Sequence, residues 1–100
     1  MGMVVIIEGT PAETVRILST DEAAAFTFTD RVQAAFLTFE GGDCRVSYGG
    51  TTPTQGANGV GHLFMEGDTL YLRSWSAIKS FRYISAASGV PAILQVTLEY

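Results

Sequence analysis

Cys44 and His62 are the one cysteine and the one histidine of this 100-residue chain, and together they form its one candidate nucleophile and base. A thiol becomes a catalytic nucleophile when an imidazole deprotonates it and a third group orients the imidazole. Cys44 also alternates with Val46 and Tyr48 on one face of a predicted strand, where a cysteine behaves as a small hydrophobic side chain. The sequence therefore favours a structural Cys44 and predicts no enzymatic activity.

No pattern typical of a metal or cofactor site occurs in the sequence. A single histidine with scattered acidic residues gives no zinc spacing, and no calcium-binding loop of alternating aspartates is present. The glycine-rich segment 56–61 precedes a predicted strand, whereas glycine motifs that bind phosphate precede a helix. We therefore expect neither a metal nor a cofactor.

Tyr71, Arg73 and Trp75 are spaced two residues apart, which predicts that they share one strand face, opposite Leu70 and Leu72. Tyr, Trp and Arg dominate the binding energy of protein interfaces, and exposed aromatic rings also stack on sugars. We therefore expect a partner-binding or glycan-binding strip. In the alternative interpretation, Trp75 belongs to the core and the Arg73 guanidinium lies over the Tyr71 ring.

The segment 49–59 is the longest stretch without a strand pattern. Its sequence holds four glycines, three threonines and one proline, and we expect no residue in it to be anchored in a core. Binding residues collect on loops that a rigid β scaffold displays, although a mobile loop without a function is the competing interpretation. The loop residues predicted to contact a partner are Thr51, Thr52, Pro53, Thr54, Gln55 and Asn58.

Period-two alternation with frequent turn residues predicts that residues 1–100 form one all-β domain. Seven to eight short strands suit an antiparallel β-sandwich, either immunoglobulin-like or jelly-roll-like. The β-branched run 3–8 predicts the first strand, and the pairs Gly41-Gly42 and Glu66-Gly67 predict the turns of two β-hairpins. The last strand, 92–100, has two predicted faces. The core face carries Ala92, Leu94, Val96, Leu98 and Tyr100, and the solvent face carries Gln95, Thr97 and Glu99.

Charge and composition exclude several classes of protein. The net charge of −4 opposes nucleic-acid binding, and no apolar run approaches the ~20 residues that a membrane span needs. Charged residues make up 16% of the chain, against about 25% in an average domain. We therefore expect another subunit to cover part of an apolar surface, which predicts a homo-oligomer or another protein partner, with no nucleic acid and no membrane.

From Glu40 onward the sequence resembles a group of small β-rich proteins encoded among the structural genes of tailed bacteriophages and prophages. The resemblance follows an ordered series of segments: Arg45 in a strand, 50–54, His62-Leu63, 66–70, Ala77-Ile78, Phe81-Arg82 and a Leu-x-Val-Thr strand at 94–97. Residues 55–58 lengthen the loop relative to that pattern. The resemblance implies a non-enzymatic virion protein, a capsid decoration or cement protein that contacts the major capsid protein or another virion protein. The alternatives are a tail, neck or fibre component and a glycan-binding adhesion module.

Overall fold

The computed structural model describes residues 11–28 and 32–100, so the strand predicted at 3–8 lies outside the described residues. The described residues form eight strands and one short helix. In chain order these are β1 (Pro11–Leu18), β2 (Ala24–Ala25), β3 (Ala34–Gly41), β4 (Cys44–Ser47), β5 (His62–Phe64), β6 (Thr69–Leu72), α1 (Trp75–Ser80), β7 (Arg82–Ser85) and β8 (Ala92–Glu99). No helix in this part of the chain is long and apolar enough to cross a membrane.

The strands pair like a long hairpin that is folded back on itself. β1 pairs with β8, β2 with β7, β3 with β6 and β4 with β5, all antiparallel. Two further pairings, β3 with β8 and β4 with β7, join these pairs into two four-stranded sheets. Sheet A has the order β1-β8-β3-β6 and sheet B the order β2-β7-β4-β5. The predicted antiparallel β-sandwich is confirmed, and its strand order is that of a jelly roll.

The two glycine turns connect the sheets, contrary to the prediction that they close hairpins. β3 ends in sheet A and β4 begins in sheet B, and β5 and β6 likewise belong to different sheets. Gly41 has a φ of 72°, and a Cβ on Gly42 would lie 2.7 Å from a methyl carbon of Val90. The Gly-Gly pair therefore turns a tight corner between sheets. A two-residue link has the same length in a hairpin, so the spacing alone does not distinguish the two arrangements.

Inward-facing residues of both sheets form one core. Its buried members are Val32, Ala35, Leu37, Phe39, Cys44, Val46, Leu72, Ile78, Phe81, Tyr83, Ala92, Leu94, Val96 and Leu98. Aromatic contacts extend the core at its ends: the ring centroids of Phe26 and Phe81 lie 4.9 Å apart, and those of Phe39 and Phe64 lie 4.8 Å apart. Burial of this apolar surface is the main force that holds the two sheets together.

β8 alternates as predicted until its last residues. Its four inward residues, Ala92, Leu94, Val96 and Leu98, are buried, and Ile93, Gln95 and Thr97 lie half-buried on the outer face. Glu99, predicted to face solvent, is 2% exposed, and its carboxylate accepts a hydrogen bond from the Tyr71 hydroxyl. Tyr100, predicted to face the core, is 45% exposed because it lies beyond the last residue of the strand. The alternation therefore stops where the ladder ends.

Leu94→Ala should lower the free energy of unfolding by about 2–5 kcal/mol, because it removes a fully buried side chain and leaves a cavity. Thr97→Ala, on the opposite face of β8, should cost less than about 1 kcal/mol, because it removes one exposed hydrogen bond to Thr14. Urea unfolding followed by circular dichroism measures both. A larger loss for Thr97→Ala would show that the register of β8 is shifted by one residue.

Candidate functional site

The structure places Cys44 and His62 in different environments. Cys44 is fully buried between the sheets, and burial raises the pKa of its thiol to about 12, so the thiol stays protonated at neutral pH. His62 is exposed, and its ring stacks on that of Tyr48 with 5.9 Å between the centroids. Tyr48 is itself 49% exposed, contrary to the predicted core face, because β4 ends before it. Cys44 therefore has the properties of a core side chain, as the sequence favours.

The sequence shows no spacing typical of a metal site, and the structure can be compared with that expectation. Among the residues that the structure describes, no three His, Cys, Asp or Glu side chains lie close enough to hold a metal ion. The polar groups that do converge are found around the loop between β4 and β5.

That loop, residues 48–61, lies on the outer face of sheet B, and we call it the cap loop. Alternation along β4 and β7 directs Ser47 and Ile84 away from the core, yet each is only 6% exposed. Within the loop, Pro53 is fully buried. The expectation that no residue anchors the loop was therefore wrong. The composition of the segment suggests mobility, but the Pro53 side chain is packed into the fold.

Arg45 fastens the cap loop to sheet B. Its two terminal guanidinium nitrogens donate to the carbonyl oxygens of Gly61 and Gly56, each at 3.1 Å. Its Nε is buried and has no hydrogen-bond partner among the described residues. Gly59 packs against this nitrogen so closely that a Cβ would lie 2.7 Å from Arg45 Nε and 2.2 Å from the Thr54 carbonyl oxygen. The guanidinium is therefore occupied in holding carbonyl groups of its own chain.

A second set of hydrogen bonds closes the cap loop on itself and on its neighbours. The Thr54 N–H donates to the Val60 carbonyl at 3.0 Å, and the Val60 N–H donates to the Thr54 hydroxyl oxygen at 2.7 Å. The Gly56 N–H donates to the Ala86 carbonyl at 2.9 Å. These bonds tie the part of the cap loop from Thr54 to Val60 into the fold.

Asp21 joins three connections at one end of the sandwich. Its carboxylate accepts hydrogen bonds from the Gly89 N–H at 3.0 Å, from Gln55 Nε2 at 3.1 Å and from the Ser88 hydroxyl at 3.3 Å. These donors, the Gly89 N–H above all, lower the pKa of the Asp21 carboxyl. The ionised carboxylate thus links the chain before β2 to the cap loop and to the turn before β8.

The cap loop presents four of the six residues predicted to contact a partner. Thr51, Thr52, Thr54 and Asn58 are exposed. Pro53 is buried, and Gln55 is half-buried with its amide on Asp21. Contact with a partner through this loop stays a prediction, and its exposed threonines and Asn58 are the side chains that could make it.

The predicted strip of Tyr71, Arg73 and Trp75 does not exist as one surface. β6 ends at Leu72, and Ser74 caps α1, its hydroxyl oxygen accepting from the Ala77 N–H at 3.1 Å. Trp75 is the first residue of this helix and packs, half-buried, against the core. The prediction was wrong because it extended the period-two spacing past a serine that begins a helix.

Tyr71 and Arg73 belong to a cluster on the outer face of sheet A. The Arg73 guanidinium carbon lies 5.5 Å from the centroid of the Tyr71 ring, as the alternative interpretation of the sequence predicted. The Phe36 ring meets the Tyr71 ring edge-on, with 6.0 Å between centroids. The Tyr71 hydroxyl donates to the Glu99 carboxylate. Side chains from β3, β6 and β8 therefore hold this cluster in one arrangement.

The outer face of sheet A as a whole is a broad surface that the sequence did not reveal. The register arranges its side chains in rows across the strands: Thr14, Thr97, Phe36 and Tyr71; Arg16, Gln95, Thr38 and Thr69; Leu18, Ile93 and Glu40. Arg16 and Glu40 are the charged members of these rows, and the face also carries Arg73 and the buried Glu99. In the described part of the chain no loop is hydrogen-bonded across this face, whereas the cap loop crosses sheet B. In the sequence, Phe36 alternates with Thr38 and Glu40 along β3. An aromatic residue on this outward, otherwise polar side of the strand could have indicated the surface.

Comparison with known proteins gives no match: no protein-family model matches the chain, and neither a curated protein nor a solved structure does so. The resemblance to phage structural proteins therefore remains a prediction from the sequence.

Gly59→Ala should displace the cap loop, because the added Cβ would overlap the Thr54 carbonyl and Arg45 Nε. We expect the free energy of unfolding to fall by about 1–3 kcal/mol, the usual cost of overpacking. Amide hydrogen exchange at Gly56 and Val60 should become faster. The exposed neighbour Asn58→Ala is the matched control and should change neither quantity; equal stability of the two variants would contradict a packed cap loop.

Proposed function

We propose that the protein is a non-catalytic structural component of a tailed-phage virion, a capsid decoration or cement protein that docks through the outer face of sheet A. The observation that carries this proposal is the difference between the two sides of the sandwich. The cap loop covers sheet B, whereas sheet A presents rows of mostly uncharged side chains. The resemblance of residues 40–100 to phage structural proteins supports the virion as the setting.

The composition of the sheet A face suits a protein partner. The centre of a protein interface is poor in charged residues and rich in aromatic ones. Here Phe36 and Tyr71 are neighbours in one row with Thr97, and Gln95 occupies the middle of the next row. Because these side chains project from paired strands, little backbone freedom is lost on docking, and more of the contact energy remains for affinity.

Three groups with chemical reactivity, on Cys44, Arg45 and Asp21, are occupied within the fold, which supports a function without catalysis. The Cys44 thiol is buried and protonated at neutral pH. The Arg45 guanidinium holds the cap loop, and the Asp21 carboxylate holds two connections and the Gln55 amide. Each therefore has a structural use that accounts for its position.

A virion offers many equivalent sites for such a protein. Each copy would bury a modest area against the major capsid protein or a neighbouring copy, and contacts repeated over a symmetric shell add through avidity. The low content of charged residues, 16% of the chain, fits a homo-oligomer or a lattice of copies on the particle. A tail, neck or fibre component would use the same face against a different virion protein.

Gln95→Arg tests the docking face by placing a second cation beside Arg16 in its middle row. Gln95 lies half-buried on the outer side of β8, so the variant should fold with an unchanged circular dichroism spectrum. We expect its binding to empty heads assembled from tailed-phage capsid proteins to weaken by at least about tenfold, because docking must then desolvate a second cation beside Arg16. Co-sedimentation with the heads measures this.

Thr52→Arg is the matched control, since it places the same charge on the exposed part of the cap loop. It should bind the heads as the wild-type protein does. Loss of binding in Thr52→Arg, with normal binding in Gln95→Arg, would place the interface on the cap loop. Failure of the wild-type protein to bind any head or tail particle would contradict the virion function itself.

A further inference from the structure

A shallow groove runs beside α1, on the connection between β6 and β7. It encloses about 590 Å³ and shares no residue with the rows of the sheet A face. The residues that line it are Gly50, Ser74, Trp75, Ser76, Lys79, Ser80 and Arg82. Its volume falls in the range of small-ligand sites.

The groove carries positive charge on an acidic protein. Lys79 and Arg82 line it, and none of its lining residues in the described chain is acidic, although the net charge of the whole chain is −4. Arg82 is held in place by two hydrogen bonds of 3.0 Å, in which Nη1 donates to the carbonyl oxygens of Lys79 and Phe81. The remaining guanidinium donors and the exposed Lys79 ammonium favour an anionic ligand.

Trp75 gives the groove an aromatic wall that the fold holds in position. The indole is half-buried against the core, and the cap of Ser74 together with the buried Ile78 fixes the helix that carries it. Trp75 also lines a smaller neighbouring groove of about 330 Å³, which adds the rings of Phe26 and Phe28. An aromatic surface that is already ordered loses little entropy when a ligand ring packs on it.

Serine hydroxyls complete the surface. Ser76 is exposed, and Ser80 donates its hydroxyl to the Ser76 carbonyl at 2.9 Å, which leaves the Ser80 oxygen able to accept. An aromatic ring, two cations and short hydroxyl side chains around a shallow groove match a sugar ring that bears a carboxylate. The ring carbons would pack on the indole, the carboxylate would meet Lys79 and Arg82, and the sugar hydroxyls would meet the serines.

We propose that the groove formed by Trp75, Lys79 and Arg82 binds a carboxylate-bearing saccharide, such as a uronic acid or sialic acid unit of a surface polysaccharide. The site is independent of the docking face proposed above. A protein attached to a particle through sheet A would therefore carry a separate site for an acidic glycan.

Fluorescence can test this directly, because Trp75 is the sole tryptophan of the chain. The full-length protein is titrated with tri-galacturonate and with sialyllactose, and in parallel with the neutral galactotriose and lactose. We expect a saturable change in the Trp75 emission with at least one acidic saccharide and none with its neutral counterpart. No saturable change with either acidic saccharide up to about 10 mM would overturn the proposal.

Two variants and two further anions separate this site from a general anion patch. Lys79→Gln, at an exposed position that should not affect folding, is expected to weaken acidic-saccharide binding by about fivefold, and the charge-conserving Lys79→Arg should retain it. Inorganic phosphate and a polyglutamate peptide should bind more weakly than the acidic saccharide. Equal binding of either anion, or equal affinity of Lys79→Gln and wild type, would overturn the proposal.

Discussion

The hydrogen bonds from the Arg45 guanidinium to the Gly56 and Gly61 carbonyls hold the cap loop against sheet B, the closed side of this sandwich. They hold the cap loop over the outward-facing residues of β4 and β7, with Pro53 buried beneath it. This arrangement requires a glycine at position 59, because a Cβ there would lie 2.7 Å from Arg45 Nε. The cap loop thus covers one side of the sandwich, whereas no loop of the described chain is hydrogen-bonded across the outer face of sheet A.

The two sheets are also built differently, which suits them to different uses. β1, β3 and β8 in sheet A are eight residues long each, whereas the strands of sheet B have two to four residues. Long paired strands hold side chains in regular rows and make sheet A a rigid platform. Short strands leave more of the chain in connections, and these carry the cap loop, the Asp21 hydrogen bonds and the groove beside α1. Protein docking and ligand binding are thus proposed on separate parts of the molecule.

Alternation along the chain was sufficient to predict the class of fold and the buried residues of β8, because Ala92, Leu94, Val96 and Leu98 follow the period of a strand. It could not predict which strands share a sheet: Gly41-Gly42 has the spacing of a hairpin but turns between sheets. It also could not predict the cap loop, since Arg45 and Asp21, whose side chains hold the loop, come from other segments. Trp75 was misplaced because Ser74 ends the strand period locally. The sequence did not indicate the sheet A face, because each row of that face consists of residues from different strands.

Sheet A as the docking face is tested most directly by an electron-microscopy reconstruction of a virion that carries the protein. We predict density for the jelly roll with Phe36, Gln95 and Thr97 against the particle and with the cap loop on the opposite side, away from it. Contact through the cap loop, with the outer face of sheet A turned away from the particle, would contradict this assignment.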